Sequence, residues 1–117
     1  MEGLDIIDYE RAGYKPAVKV EAWRVAFLNY ADVFDKIMKL ERHMETDEVF
    51  MLLEGEATLV IGLEKTLAPM EKHKIYNVKQ GTWHNSKVSE NAKVFIVEND
   101  DTTVNNTEYV YFDEPII

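Results

Sequence analysis

Carboxylates and imidazoles crowd one short stretch of this chain, Glu41–Gly55, which carries Glu41, His43 and Glu48 ahead of an apolar run, Val49–Leu53. Glu41 and His43 are two residues apart, so on a strand their side chains share a face. Glu48 lies five residues past His43 and would face the other way on one continuous strand. A turn through Met44–Asp47 removes that conflict, and Thr46 and Asp47 are residues that support a turn through their own backbone. With the chain turned there, Glu41, His43 and Glu48 converge, and one more ligand from elsewhere completes a metal site. His84 is the candidate partner. It follows Gly81-Thr82-Trp83, just past a turn, where a strand would deliver an imidazole as β-structure does at His43.

Elements that could position such groups are short and numerous. Leu4–Tyr14 reads as a short edge strand and a turn. Val18–Tyr30 reads as one strand, kinked near Glu21-Ala22, on its β-branched and aromatic residues. Asn29–Phe34 is a loop. Asp35–His43 reads as a strand, although its apolar spacing also fits a helical stripe. Val49–Leu53 and Ala57–Ile61 read as a hairpin turning at Gly55. Both arms are apolar at nearly every residue, which predicts strands covered on both faces. A turn and short strand over Gly62–Pro69 follow, then strands over Lys74–Val78, Trp83–Val88 and Lys93–Glu98. Asn99–Asn106 is a polar loop, and Tyr109–Phe112 is a last aromatic strand. Eight to ten short strands with frequent turns predict an all-β sandwich or barrel.

The 117 residues amount to one domain, long enough to bury a core without crosslinks. The absence of cysteine excludes disulfides, thiolate ligands and cysteine nucleophiles, and fits a cytoplasmic location. A net charge of −9 argues against nucleic acid and against an anionic membrane surface. The first residues lack the basic and apolar regions of a signal peptide, and no apolar run approaches the roughly 20 residues of a membrane span. Phosphate loops, a serine triad and a His-Glu-x-x-His zinc motif are not found.

The spacing of the chemistry-bearing residues resembles that of the cupins, small jelly-roll barrels with two motifs. The first motif runs His-x-His, three or four residues, Glu, six residues, Gly. This chain has Glu41-x-His43, four residues, Glu48, six residues, Gly55. The second motif ends Pro-x-Gly-x-x-His, where this chain has Lys79-x-Gly81-x-x-His84 before an apolar strand ending in Val94–Glu98. Glu41 stands in place of the first histidine, Lys79 in place of the proline, and Val88 in place of an asparagine beyond the last histidine. The resemblance spans 35–98, with N-terminal strands over 4–30 and a C-terminal strand over 107–113 as additions to a single domain of 1–117. It implies a double-stranded β-helix with little helix.

It also implies His43, Glu48 and His84 as metal ligands with Glu41 in the fourth place. Two imidazoles with carboxylates suit a divalent transition metal such as zinc, iron, manganese or nickel. Tyr30, Phe50, Leu52 and Tyr76 are candidates for the pocket lining, with plain core as the simpler role. His73 reads as a solvated hairpin residue, and Trp23 and Trp83 as core or rim packing, with Trp83 opposite His84. Two functions follow: a metal-dependent enzyme acting on a sugar, keto acid or hydroxy acid, or a non-catalytic ligand-binding or sensing module with a degenerate pocket. A homodimer is expected in either case.

Overall fold

Residues that alternate buried and half-buried mark the strands. In Glu48–Glu54 the side chains of Glu48, Phe50 and Leu52 are buried, and those of Val49, Met51 and Leu53 between them are only partly covered. Lys93–Asn99 alternates likewise, with Val94, Ile96 and Glu98 buried. The computed structural model describes residues 2–4, 6, 11–20 and 22–117. Ten strands occur among them: β1 (Gly13–Val20), β2 (Trp23–Asn29), β3 (Lys39–His43), β4 (Glu48–Glu54), β5 (Ala57–Ile61), β6 (Thr66–Pro69), β7 (Tyr76–Val78), β8 (His84–Val88), β9 (Lys93–Asn99) and β10 (Thr107–Tyr111). The only helical turns among the described residues are short 3-10 pieces at Asp32–Phe34 and Val104–Asn106.

The strands form two antiparallel five-stranded sheets in the orders β1-β2-β9-β4-β7 and β10-β3-β8-β5-β6. Ala26 and Leu28 from β2, Phe50 and Leu52 from β4, Leu59 from β5, and Val94 and Ile96 from β9 fill the space between them. This is the all-β jelly-roll arrangement the resemblance implied. No helix of the described residues is long and apolar enough to cross a membrane.

Three expectations change. Val49–Leu53 and Ala57–Ile61 do not pair as a hairpin. β4 takes β9 and β7 as its neighbours, and β5 takes β8 and β6, so the chain passes from one sheet to the other at Gly55. Gly55 has φ of +74°, and a Cβ there would stand 2.7 Å from the α-carbon of Ala92. A side chain is therefore excluded on conformation and on space. Continuous apolar sequence arises here because both faces are covered to some degree: β4 carries Val49, Met51 and Leu53 half-buried on its outer face, and on β5 the outward Val60 is fully buried. Second, the single strand expected over Val18–Tyr30 is two: β1 and β2 are antiparallel partners, with Val20 opposite Trp23, and Glu21 of the expected kink lies outside the described residues. Third, the strand expected over Asp35–His43 begins only at Lys39. The strand expected over Leu4–Tyr14 falls partly outside the described residues, and its last two residues, Gly13-Tyr14, open β1.

Candidate metal centre

Backbone parity and sheet order together build the site. β3 presents Glu41 and His43 on its inner face, and β8 lies beside it with His84 directly opposite Glu41. β4 belongs to the other sheet and brings Glu48 across from its first position. The turn between β3 and β4 is held by Asp47, which accepts from the backbone N–H of Gln80 at 2.8 Å, and by the N–H of Gly81 donating to the carbonyl of His43 at 2.9 Å. These bonds tie the two motif turns to each other. They place the imidazoles of His43 and His84 with ring centroids 5.2 Å apart.

Glu48 joins them. Its Oε1 lies 3.0 Å from His43 Nε2 and 2.9 Å from His84 Nε2. All three side chains are buried. The far ring nitrogens are held as well: His43 Nδ1 lies 3.0 Å from the hydroxyl of Thr107, and His84 Nδ1 donates to the carbonyl of Thr82 at 2.9 Å. The Thr82 carbonyl fixes the proton of a neutral His84 on Nδ1, leaving Nε2 as the atom free to bind a cation. Glu41 is less covered and keeps Oε1 4.0 Å from His43 Nε2. It does not pair with Arg42 or Lys39. Arg42 reaches Glu108 instead, and Lys39 lies over the ring of Tyr109.

Burial disfavours charge on His43, Glu48 and His84, yet their pairing outweighs it. Burial pulls both imidazoles down, but the hydrogen bond and charge of Glu48 leave His43 and His84 above their ordinary value. Burial pushes the Glu48 carboxyl up, but two imidazole hydrogen bonds hold it well below the usual carboxylate range.

The cluster opens into a cavity of about 400 Å³ between the sheets, walled among others by Tyr14, Arg24, Phe34, Phe50, Glu98 and Tyr109. That volume suits a small ligand. Of the candidates for the lining, Phe50 stands in the cavity wall. The other lining candidates do not. Leu52 points inward further along β4 and is almost fully buried in the apolar core. Tyr76 packs against that core and its hydroxyl accepts from the backbone of Glu71. Tyr30 borders a separate depression beside Asn29 and Lys93 and donates to Asp35. His73 is exposed and away from the site, as read from the sequence. Trp83 lies on the opposite face from His84, where Arg42 covers its ring at 4.5 Å. Trp23 is 43% exposed, so it is not a core residue.

Sequence reasoning missed Glu98, Tyr14 and Arg24. Glu98 is buried on β9, and its Oε1 accepts from the Tyr14 hydroxyl and, at 2.7 Å, from Arg24 Nη2. Burial, then the nearby charge of Glu48, raises the Glu98 carboxyl above its ordinary value. A signal for it existed: Val94, Ile96 and Glu98 share one face of a strand, so an inward apolar row ends in a carboxylate.

No family model matches the chain, and no curated protein matches it. Solved structures do. A cupin-2 domain protein from Shewanella frigidimarina superimposes over 78% of this chain and 84% of its own, with a TM-score of 0.61 at 16% identity. This is the cupin fold. Pac13 from Streptomyces, described as a nucleoside dehydratase, matches 91% of the chain and 93% of its own with a TM-score of 0.64 at 8% identity. KdgF from a Halomonas species matches 74% and 76%, with a TM-score of 0.56 at 11% identity. At such identities the likeness to these cupins is one of fold. His43, Glu48 and His84 come together from the strands that the two motifs of the sequence begin or end.

Proposed function

We propose that this cupin holds a divalent transition metal on His43, Glu48 and His84, with Glu41 beside them, and acts on a small polar substrate such as a sugar, keto acid or hydroxy acid. The observation that carries the reading is the convergence of two imidazole Nε2 atoms on one buried carboxylate oxygen, at 2.9 and 3.0 Å. The donor set fits. Glu41, His43 and His84 each offer a ligand atom within 4.8 Å of the others, and so do His43, Glu48 and Glu98. A buried oxygen of Glu98 also lacks a hydrogen-bond partner, which a cation would supply.

Such an ion, when bound, polarises a carbonyl or hydroxyl oxygen or lowers the pKa of a bound water. The chain does the rest. Thr107 and Thr82 orient the imidazoles, Phe50 and Phe34 form apolar walls, and Tyr109 offers a polar group to a substrate. The chain pairs with a second copy in this reading. Val25, Val97 and Val49 form one row on the outer face of the first sheet, and Phe27, Phe95 and Met51 the next, giving an apolar surface that a second copy would cover.

A second reading rests on the same hydrogen bonds. Glu48 already satisfies both imidazoles, so a metal-free binding module is also self-consistent. Metal analysis of chelator-free protein and thermal melts with Mn²⁺, Zn²⁺, Fe²⁺ and Ni²⁺ separate the two. The metal reading expects close to one equivalent and a clear stabilisation, both lost in His43→Ala and His84→Ala. Uptake below about a tenth of an equivalent after reloading overturns it.

A further inference from the structure

Glu98 belongs to neither motif and stands on β9, in the sheet opposite to Glu41, His43 and His84. Its side chain is 3% exposed. One carboxylate oxygen is pinned: Oε1 accepts from the Tyr14 hydroxyl, from Arg24 Nη2 at 2.7 Å and from Arg24 Nε at 3.3 Å. The Arg24 guanidinium is itself fixed, donating through Nη1 to the carbonyl of Asp100 at 3.3 Å. The other oxygen, Oε2, is buried without a hydrogen-bond partner and lies 3.9 Å from His43 Nε2.

A buried carboxylate oxygen left unpaired is costly, and ordinarily the group rotates to find a donor. Tyr14 and Arg24 prevent that here, so Oε2 is held toward the imidazole cluster. The ligand atoms of His43, Glu48 and Glu98 all lie within 4.8 Å of one another. Ligand atoms about 2.1 Å from a shared cation stand roughly 3 to 4.2 Å apart, so a small inward shift makes these three co-ligands. We propose that Glu98 is a further metal ligand, and that it clamps the ion from the opposite sheet. The inference rests on the metal reading above and extends its ligand set.

Two consequences follow from the donor chemistry. With Glu98 the set holds three carboxylates and two imidazoles, and oxygen donors favour harder ions such as Mn²⁺. Arg24 offsets one of the three negative charges, so it acts as a positioning residue that keeps Glu98 aimed. The ion then joins β3 and β8 of one sheet to β4 and β9 of the other.

The experiment uses the full chain, stripped with chelator, and titrates Mn²⁺ into wild type, Glu98→Gln and Glu98→Asp by calorimetry. Co²⁺ uptake is followed in parallel by visible absorbance. Glu98→Gln keeps the volume and an oxygen for Tyr14 and Arg24 but loses the charge, and Mn²⁺ affinity is expected to fall about tenfold or more. The Co²⁺ bands should intensify as the coordination number drops. Glu98→Asp withdraws the oxygen by one methylene and should also weaken Mn²⁺, which keeps the test decisive if the glutamine variant folds poorly. Wild-type affinity and an unchanged Co²⁺ spectrum in both variants overturn the role of Glu98 alone. No uptake of either ion by wild type overturns the metal reading and this inference together.

Discussion

Glu41 and His84 face each other as the paired position of β3 and β8. The first motif residue and the last are therefore cross-strand neighbours, and the carboxylate that replaces a histidine is not displaced from the site. Glu41→His should keep the fold and, by exchanging an oxygen donor for an imidazole, shift preference toward Zn²⁺ and Ni²⁺ relative to Mn²⁺ by roughly tenfold. Competition titrations against a chromophoric chelator measure this. An unchanged preference removes Glu41 from the ligand set.

Stability of the metal-free protein should depend on pH through the same cluster. Glu48 is lowered in the folded state, so its contribution is present above its ordinary 4.5 and fades as pH falls through the folded value. His43 and His84 are raised, so theirs are present below their ordinary 6.5 and fade as pH rises through the folded values. All three act together between pH 4.5 and 6.5, and the thermal midpoint should peak there. Metal binding needs neutral imidazoles, so Mn²⁺ affinity should instead grow as pH rises above this window. A melting series with and without Mn²⁺ shows both trends, and a midpoint that climbs steadily through pH 8 in the metal-free protein contradicts the first.

Gly55 carries the passage between sheets. Gly55→Ala forces an L side chain into the left-handed region and against the Ala92 backbone, at a cost of roughly 2 kcal/mol or more. Urea denaturation should show a lower midpoint with an unchanged slope. Wild-type stability in this variant would mean that the corner relaxes freely.

Arg24 is the charged partner of the buried Glu98. Arg24→Ala leaves that carboxylate without its main counter-charge and should cost about 3 kcal/mol. Chemical denaturation of the stripped protein at neutral pH measures it. A loss below about 1 kcal/mol would show that solvent reaches Glu98.

Phe95 centres the outer apolar face of the first sheet, meeting Phe27 edge to face at 5.8 Å. Light scattering at micromolar concentration should give a dimer mass, and Phe95→Glu should give a monomer that retains its circular dichroism. A monomeric wild type sinks the dimer.

The sequence by itself determined the strand content, the inward faces and the motif residues. Those follow from local pattern: period-two alternation places Glu41 with His43, and turn chemistry at Thr46-Asp47 and Lys79-Gln-Gly81 sets where β4 and β8 begin. It did not determine which strands pair. Val49–Leu53 and Ala57–Ile61 look like two arms of a hairpin because a tight turn reads alike whether the chain folds back or crosses between sheets. Only the competition among all ten strands assigns β4 to β9 and β5 to β8. The site divides in the same way. His43, Glu48 and His84 were legible because their spacing is local to two motifs. Glu98, Tyr14 and Arg24 were not, because they come from three separate strands and Glu98 meets His43 only when the second sheet closes over the first. Tertiary structure decided that the inner end of β9 is a carboxylate with one oxygen held and the other facing the imidazoles.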